Sequence, residues 1–216
     1  MNVRRDGQRY SLFERRLSMR VKSLRALTIA ACLATTPAFA DGNDSRTYQT
    51  ANIFMFGNAA VLKPGGATLF RSRQRVEMRI ATSGLNMNSS YTVWWVVFNN
   101  PSGCVGGCGP DDLSNPAARA SVFYAAGFVT GLGDSGNVSA HLDAGALPTG
   151  LDVQLGHGLE HGNGLAAEIH LVVRTHGVTI PGGVDKQIGS FNGGCSPTCS
   201  NEQAAMFLPV ASRDEE

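Results

Sequence analysis

Tyr91-Thr92-Val93-Trp94-Trp95-Val96-Val97-Phe98 is the stretch on which the fold turns. Eight β-branched or aromatic residues run without a charge, and both alternating sets are apolar. A strand with one wet face would alternate polar with apolar, so this segment predicts a central strand covered on both sides. Its two tryptophans are flat enough to stack on sugars, but burial in a core is the reading their neighbours favour.

Outward from this strand, short runs of the same type recur between glycine, proline and asparagine. They are Asn52 to Phe56, Ala67 to Arg71, Gln74 to Thr82, Ala120 to Thr130, Asn137 to Leu142, Ala166 to Thr175 and Gln203 to Leu208. No long helix-period stripe and no internal repeat accompany them. About eight short strands with turns between them predict an all-β antiparallel sandwich, with a β-barrel as the alternative and short helical turns in the loops. Arg73 to Ile80 alternates, with Arg73, Arg75, Glu77 and Arg79 on one face and Val76, Met78 and Ile80 on the other, which predicts a half-buried edge or outer strand. Gly133-Asp134-Ser135-Gly136-Asn137 reads as a hairpin turn, with one carboxylate, too few for calcium. Asp111 to Pro116 predicts a helical turn or a structured loop, and Leu147 to Gly164 a surface loop.

The N-terminal part has a different character. Met19-Arg20-Val21-Lys22-Ser23-Leu24-Arg25 leads into an apolar run from Ala26 to Ala34, closed by Ala38-Phe39-Ala40. Basic, apolar and small-residue sections in that order make a cleavable secretory signal peptide, and the run is shorter than the ~20 residues of a membrane-spanning helix. Translation starting at Met19 would account for the overlong basic leader. Arg15-Arg16 as a twin-arginine signal, and Cys32 as a lipoprotein attachment site, are the competing readings. The expected organisation is a leader over 1–40, one β domain over 41–211 and a disordered tail over 212–216. Cleavage after Ala40 leaves 10 Lys and Arg against 15 Asp and Glu. That acidic balance argues against nucleic acid as a partner. A periplasmic or secreted protein with no transmembrane anchor after cleavage is expected.

Cys104, Cys108, Cys195 and Cys199 form two C-x₃-C pairs in the mature part. In an exported chain they read as two disulfides; four thiolates on zinc is the alternative. Local pairing, Cys104 with Cys108 and Cys195 with Cys199, is favoured because Gly106-Gly107 and Pro197 suit tight reversals.

Chemistry has one principal candidate, Ala167-Glu168-Ile169-His170-Leu171-Val172-Val173-Arg174-Thr175-His176-Gly177. On an extended strand Glu168, His170, Val172, Arg174 and His176 share one face, opposite Ile169, Leu171 and Val173. Glu168 and His170 are spaced to share zinc or copper, with His176 and the loop residues His157 and His161 as helpers. The bland alternative is an acid, an imidazole and a guanidinium hydrogen-bonded on a strand face. No nucleophile elbow, zinc-protease motif or phosphate loop occurs, and the glycines from Gly103 to Gly109 have no helix after them. The reading that follows is a non-catalytic exported module binding an envelope component or polysaccharide; the alternative is a metal-binding protein or metalloenzyme centred on Glu168 and His170. A thiol–disulfide enzyme fits C-x₃-C spacing poorly.

Several blocks carry a resemblance. Tyr91 to Trp95 through Phe98-Asn99-Asn100-Pro101, the first cysteine pair with Asp111-Asp112-Leu113, Ala125-Ala126-Gly127, Ala167 to Leu171 with His176-Gly177, and Gly193-Gly194-Cys195 resemble a group of uncharacterised secreted bacterial proteins over roughly residues 76 to 208. More loosely, Ser83-Gly84-Leu85 before Tyr91-Thr92-Val93, with an acid-x-His strand later, is similar to the chordin-type β-sandwich and to copper/zinc superoxide dismutase. The likeness implies a sandwich. Where the dismutase has His-x-His, this chain has Glu168-Ile169-His170, so it does not carry over that ligand set.

Overall fold

A computed structural model describes residues 46–145 and 152–210. The expected leader with Cys32, part of the 147–164 loop and the tail from Ser212 lie outside the described residues.

Ten strands form two antiparallel sheets packed face to face. They are β1 Thr47–Ala51, β2 Phe54–Met55, β3 Gly66–Arg71, β4 Arg75–Thr82, β5 Ser89–Phe98, β6 Ala120–Val129, β7 Gly136–Asp143, β8 Val153–Leu155, β9 Glu168–Val178 and β10 Ser200–Phe207. The smaller sheet has the order β1-β3-β4-β7 and the larger β2-β10-β9-β5-β6-β8. Neither closes on itself, so the sandwich is borne out over the barrel.

The Tyr91 to Phe98 strand lies in the middle of the larger sheet, between β9 and β6. Tyr91, Val93, Trp95 and Val97 enter the core between the sheets, where they meet Ile169, Leu171 and Val173 of β9 and Val76, Met78 and Ile80 of β4. The other face carries Trp94, packed with Val122, Val172 and Ala204 under Leu113, Tyr124 and Phe191. Both tryptophans are 1% exposed, which removes them as a stacking platform. The roof over this outer face comes from the two long connections. Between β5 and β6 run 3₁₀ turns at Pro101–Gly103, Pro110–Ser114 and Pro116–Ala118, with the Cys104–Cys108 disulfide. Between β9 and β10 run the short helix α1, Val184–Ile188, and the Cys195–Cys199 disulfide. Local pairing of the cysteines is therefore as expected.

Two expectations are corrected and one is narrowed. The Gly133 to Asn137 turn does not close a hairpin, because β6 belongs to the larger sheet and β7 to the smaller. It carries the chain across the sandwich, and Gly136 lies so close to Phe128 that an added Cβ would stand 2.2 Å from the ring. The Arg73 to Ile80 segment is an outer strand with alternating burial, but not an edge, since β4 lies between β3 and β7. Within the 147–164 segment, Val153–Leu155 adds a strand beside β6. Strand β1 was not expected, because its five residues carry one large apolar ring, Tyr48, among two threonines, a glutamine and an alanine.

The described residues contain no helix long and apolar enough to cross a membrane. Two disulfides suggest an oxidising, extracytoplasmic environment.

Candidate functional site

The face of β9 expected to carry chemistry divides into two separate clusters. Glu168 and His170 meet directly, with Oε1 2.7 Å from Nε2, and both are buried. Their spacing of two on one strand face makes this contact possible. The His170 ring lies edge-on to Phe98, centroids 5.2 Å apart, and has Val96 and Met206 as cross-strand neighbours. Above it opens an apolar cleft of about 200 Å³, walled by Phe54, Phe56, Pro110 and Leu113. Among the described residues, no third ligand atom from His, Cys, Asp or Glu lies within 4.8 Å of this pair together. His157 and His161 are exposed in the segment before β9. Glu168 and His170 are thus brought together; His157, His161 and His176 do not join them.

His176, fully buried, belongs to the second cluster. A register shift between β5 and β9 occurs beside it, where Ser90 pairs with Gly177 and Tyr91 with Thr175. Trp94 Nε1 donates to Thr92 Oγ1 at 2.8 Å, and Thr92 Oγ1 stands 3.0 Å from His176 Nε2. His176 Nδ1 lies 2.9 Å from the Gly193 carbonyl. A carbonyl only accepts, so the proton belongs on Nδ1, the Thr92 hydroxyl donates to Nε2, and every donor is used with the ring neutral. Burial lowers the His176 pKa; the Gly193 carbonyl opposes that shift, and the nearby Arg174 charge adds to it. Arg174 lies over Phe191 with Cζ 4.1 Å from the ring centroid. It donates to Phe191 O at 2.8 Å, Asn201 Oδ1 at 2.9 Å and Asn192 Oδ1 at 2.8 Å. The strand face therefore holds down the second cysteine loop.

A pH dependence follows. The folded state keeps His176 neutral while an unfolded chain protonates it near its ordinary value, so the unfolded state binds more protons as pH falls below about 6.5. Stability should decline from there through the lowered folded pKa, and His176→Gln should flatten that part of the curve. Urea midpoints measured from pH 7.5 to 5 test this; an unchanged slope in the variant would contradict it.

A third region lies on the smaller sheet. No described residue covers the outer face of the smaller sheet, and its register aligns side chains in rows across the strands. Tyr48, Phe70, Glu77 and His141 make one row, and Thr50, Thr68, Arg79 and Ser139 the next. Gly66, Ala81 and Asn137 make the third, whose small residues leave a depression. Tyr48 and Phe70 are 56% and 38% exposed with ring centroids 5.0 Å apart. Arg79 Cζ stands 5.7 Å from the Phe70 centroid. An open groove of about 590 Å³ runs over these residues and adjoins a second, of about 270 Å³, over Glu77, Ser139 and His141. Alternation in Arg73 to Ile80 gave half of this surface. The aromatic half depends on β1 and its register with β3.

Comparison of the chain with protein-family models, curated proteins and solved structures gives no match.

Proposed function

We propose that this protein is an exported, non-catalytic module that binds a polysaccharide, and that the groove on the outer face of the smaller sheet receives the sugar chain. The carrying observation is the pairing of Tyr48 and Phe70 with rows of hydroxyl, amide and charged groups on one exposed face. A pyranose has an apolar C–H face and a rim of hydroxyls, so it needs a flat ring to lie on and donors and acceptors beside it. Adjoining grooves across four strands suit a polymer better than a single small molecule. The mixture of Arg79, Glu77 and His141 favours a neutral or weakly acidic glycan over a strongly anionic chain.

Tyr48→Ala with Phe70→Ala should weaken binding of the recognised polysaccharide at least about tenfold, about 1.4 kcal/mol. Both side chains are surface-exposed, so the fold should persist. Affinity electrophoresis through gels carrying envelope polysaccharides measures this, with Met87→Ala, also exposed, as control. Retention of the double variant equal to the parent would overturn the placement, and failure of every polysaccharide to retain the parent would overturn the reading.

The metal reading centred on Glu168 and His170, with zinc or copper, has less support. Two ligand groups in mutual contact fall short of the four of a closed zinc site or the three of a catalytic one. Elemental analysis of protein from its own compartment tests it directly.

A further inference from the structure

We propose that reduction of the Cys195–Cys199 disulfide creates a site for one soft d¹⁰ cation, zinc(II) or copper(I), with His176 as its third ligand. Cys195 Sγ, Cys199 Sγ and a ring nitrogen of His176 all lie within 4.8 Å of one another. Nδ1 is 3.3 Å from Cys199 Sγ. A buried imidazole faces the sulfur bridge, and thiolate with imidazole is the donor set that such cations prefer.

The surroundings keep these atoms in place when the bridge opens. Ser196 N donates to His176 O at 2.8 Å, Gln187 Nε2 to Gly194 O at 2.9 Å, and Arg174 anchors Asn192 as described. Zinc–sulfur bonds of about 2.3 Å in tetrahedral geometry separate two sulfurs by about 3.8 Å, so opening the bridge needs only a small loop movement. Cys195 and Cys199 are partly exposed, which gives reductant and ion a way in.

The chemistry balances with an external dithiol as reductant. Its two thiols become a disulfide while the Cys195–Cys199 bond breaks to two thiols. The cation then displaces both thiol protons to solvent. The imidazole proton moves from Nδ1 to Nε2, leaving Nδ1 as ligand and Nε2–H donating to Thr92 Oγ1. The Cys104–Cys108 bridge supplies an internal contrast. Its neighbour Asp112 already accepts from Val105 N and Gly109 N, and no imidazole faces it among the described residues.

The test uses the mature protein carrying Cys104→Ser and Cys108→Ser, reduced with a phosphine and titrated with cadmium as probe. One equivalent should bind, with an ultraviolet thiolate charge-transfer band and a shift of the His176 ring signals in NMR spectra. The oxidised protein should show neither. A further variant with Cys195→Ser and Cys199→Ser should lose the band, and His176→Gln should weaken binding at least about tenfold. Absence of binding, an unmoved His176 signal, or loss of the β-sheet circular dichroism on reduction would each overturn the proposal.

Discussion

Arg71→Met should lower the stability of this protein by about 3 kcal/mol or more, the range expected when a buried charge and its hydrogen bonds are removed from one side only. Arg71 is 1% exposed, on the same face of β3 as Ala67 and Leu69. No acid among the described residues pairs with it. Its guanidinium donates to Gly164 O at 2.7 Å, Gln49 Oε1 at 2.9 Å, Leu208 O at 3.0 Å and Ala167 O. One planar group thus satisfies the chain entering β9, the chain leaving β10 and the neighbouring strand β1. Burial pulls its pKa down to about 10, so it is still charged at neutral pH. Methionine fills similar space but takes this donor from the Gly164 and Ala167 carbonyls, while Leu208 O keeps Gln49 Nε2. Arg71→Lys should recover only part of the loss, because an ammonium cannot reproduce the planar fork. Urea unfolding of the three proteins decides the matter; a loss below about 1 kcal/mol for Arg71→Met would contradict this account.

Gly177→Ala should have an effect of similar size, with a local signature. Gly177 has φ +78°, where a side chain costs roughly 1–2 kcal/mol. A Cβ there would also stand 1.8 Å from Ser196 O and 2.7 Å from Ser196 C. Those are backbone atoms of the second cysteine loop, so no rotamer change relieves the overlap. The loop must move away from β9, breaking the Ser196 N to His176 O bond. The variant should therefore lose stability and expose Cys195–Cys199 to faster reduction, while Cys104–Cys108 reduces at its former rate. Alkylation after timed reduction, read by peptide mapping, separates the two bridges. Equal rates in parent and variant would count against the coupling.

The central strand and the chemistry-bearing face of β9 were legible because both depend on neighbours along the chain. Eight uncharged β-branched or aromatic residues in a row have few alternatives to a covered strand, and the period of two places Ile169, Leu171 and Val173 inward whatever lies beside them. What failed was information carried between strands. The Gly133 to Asn137 turn looks like a hairpin because its residues accept tight reversal, but which sheet the next strand joins depends on partners far away. The row of Tyr48, Phe70, Glu77 and His141 exists only through register, and the first of these strands lacks a strong apolar pattern. Arg71 was placed in its strand, and its inward phase beside Ala67 and Leu69 was the overlooked signal. His157 and His161 failed to approach His170 because proximity in sequence did not become proximity in space. The pairing of Glu168 with His170, by contrast, was available from spacing alone.

Among the described residues the two sheets differ in how they meet solvent: the larger is roofed by both sulfur-clipped connections, and the smaller is bare on its outside. This gives the molecule a front and a back. Laid against a polymer by the bare side, it would turn the roofed side outward, toward whatever reductants and ions diffuse past. On the proposed binding by the bare face, events at the sulfurs would be insulated from adhesion by the full thickness of the core, and one property would change without the other.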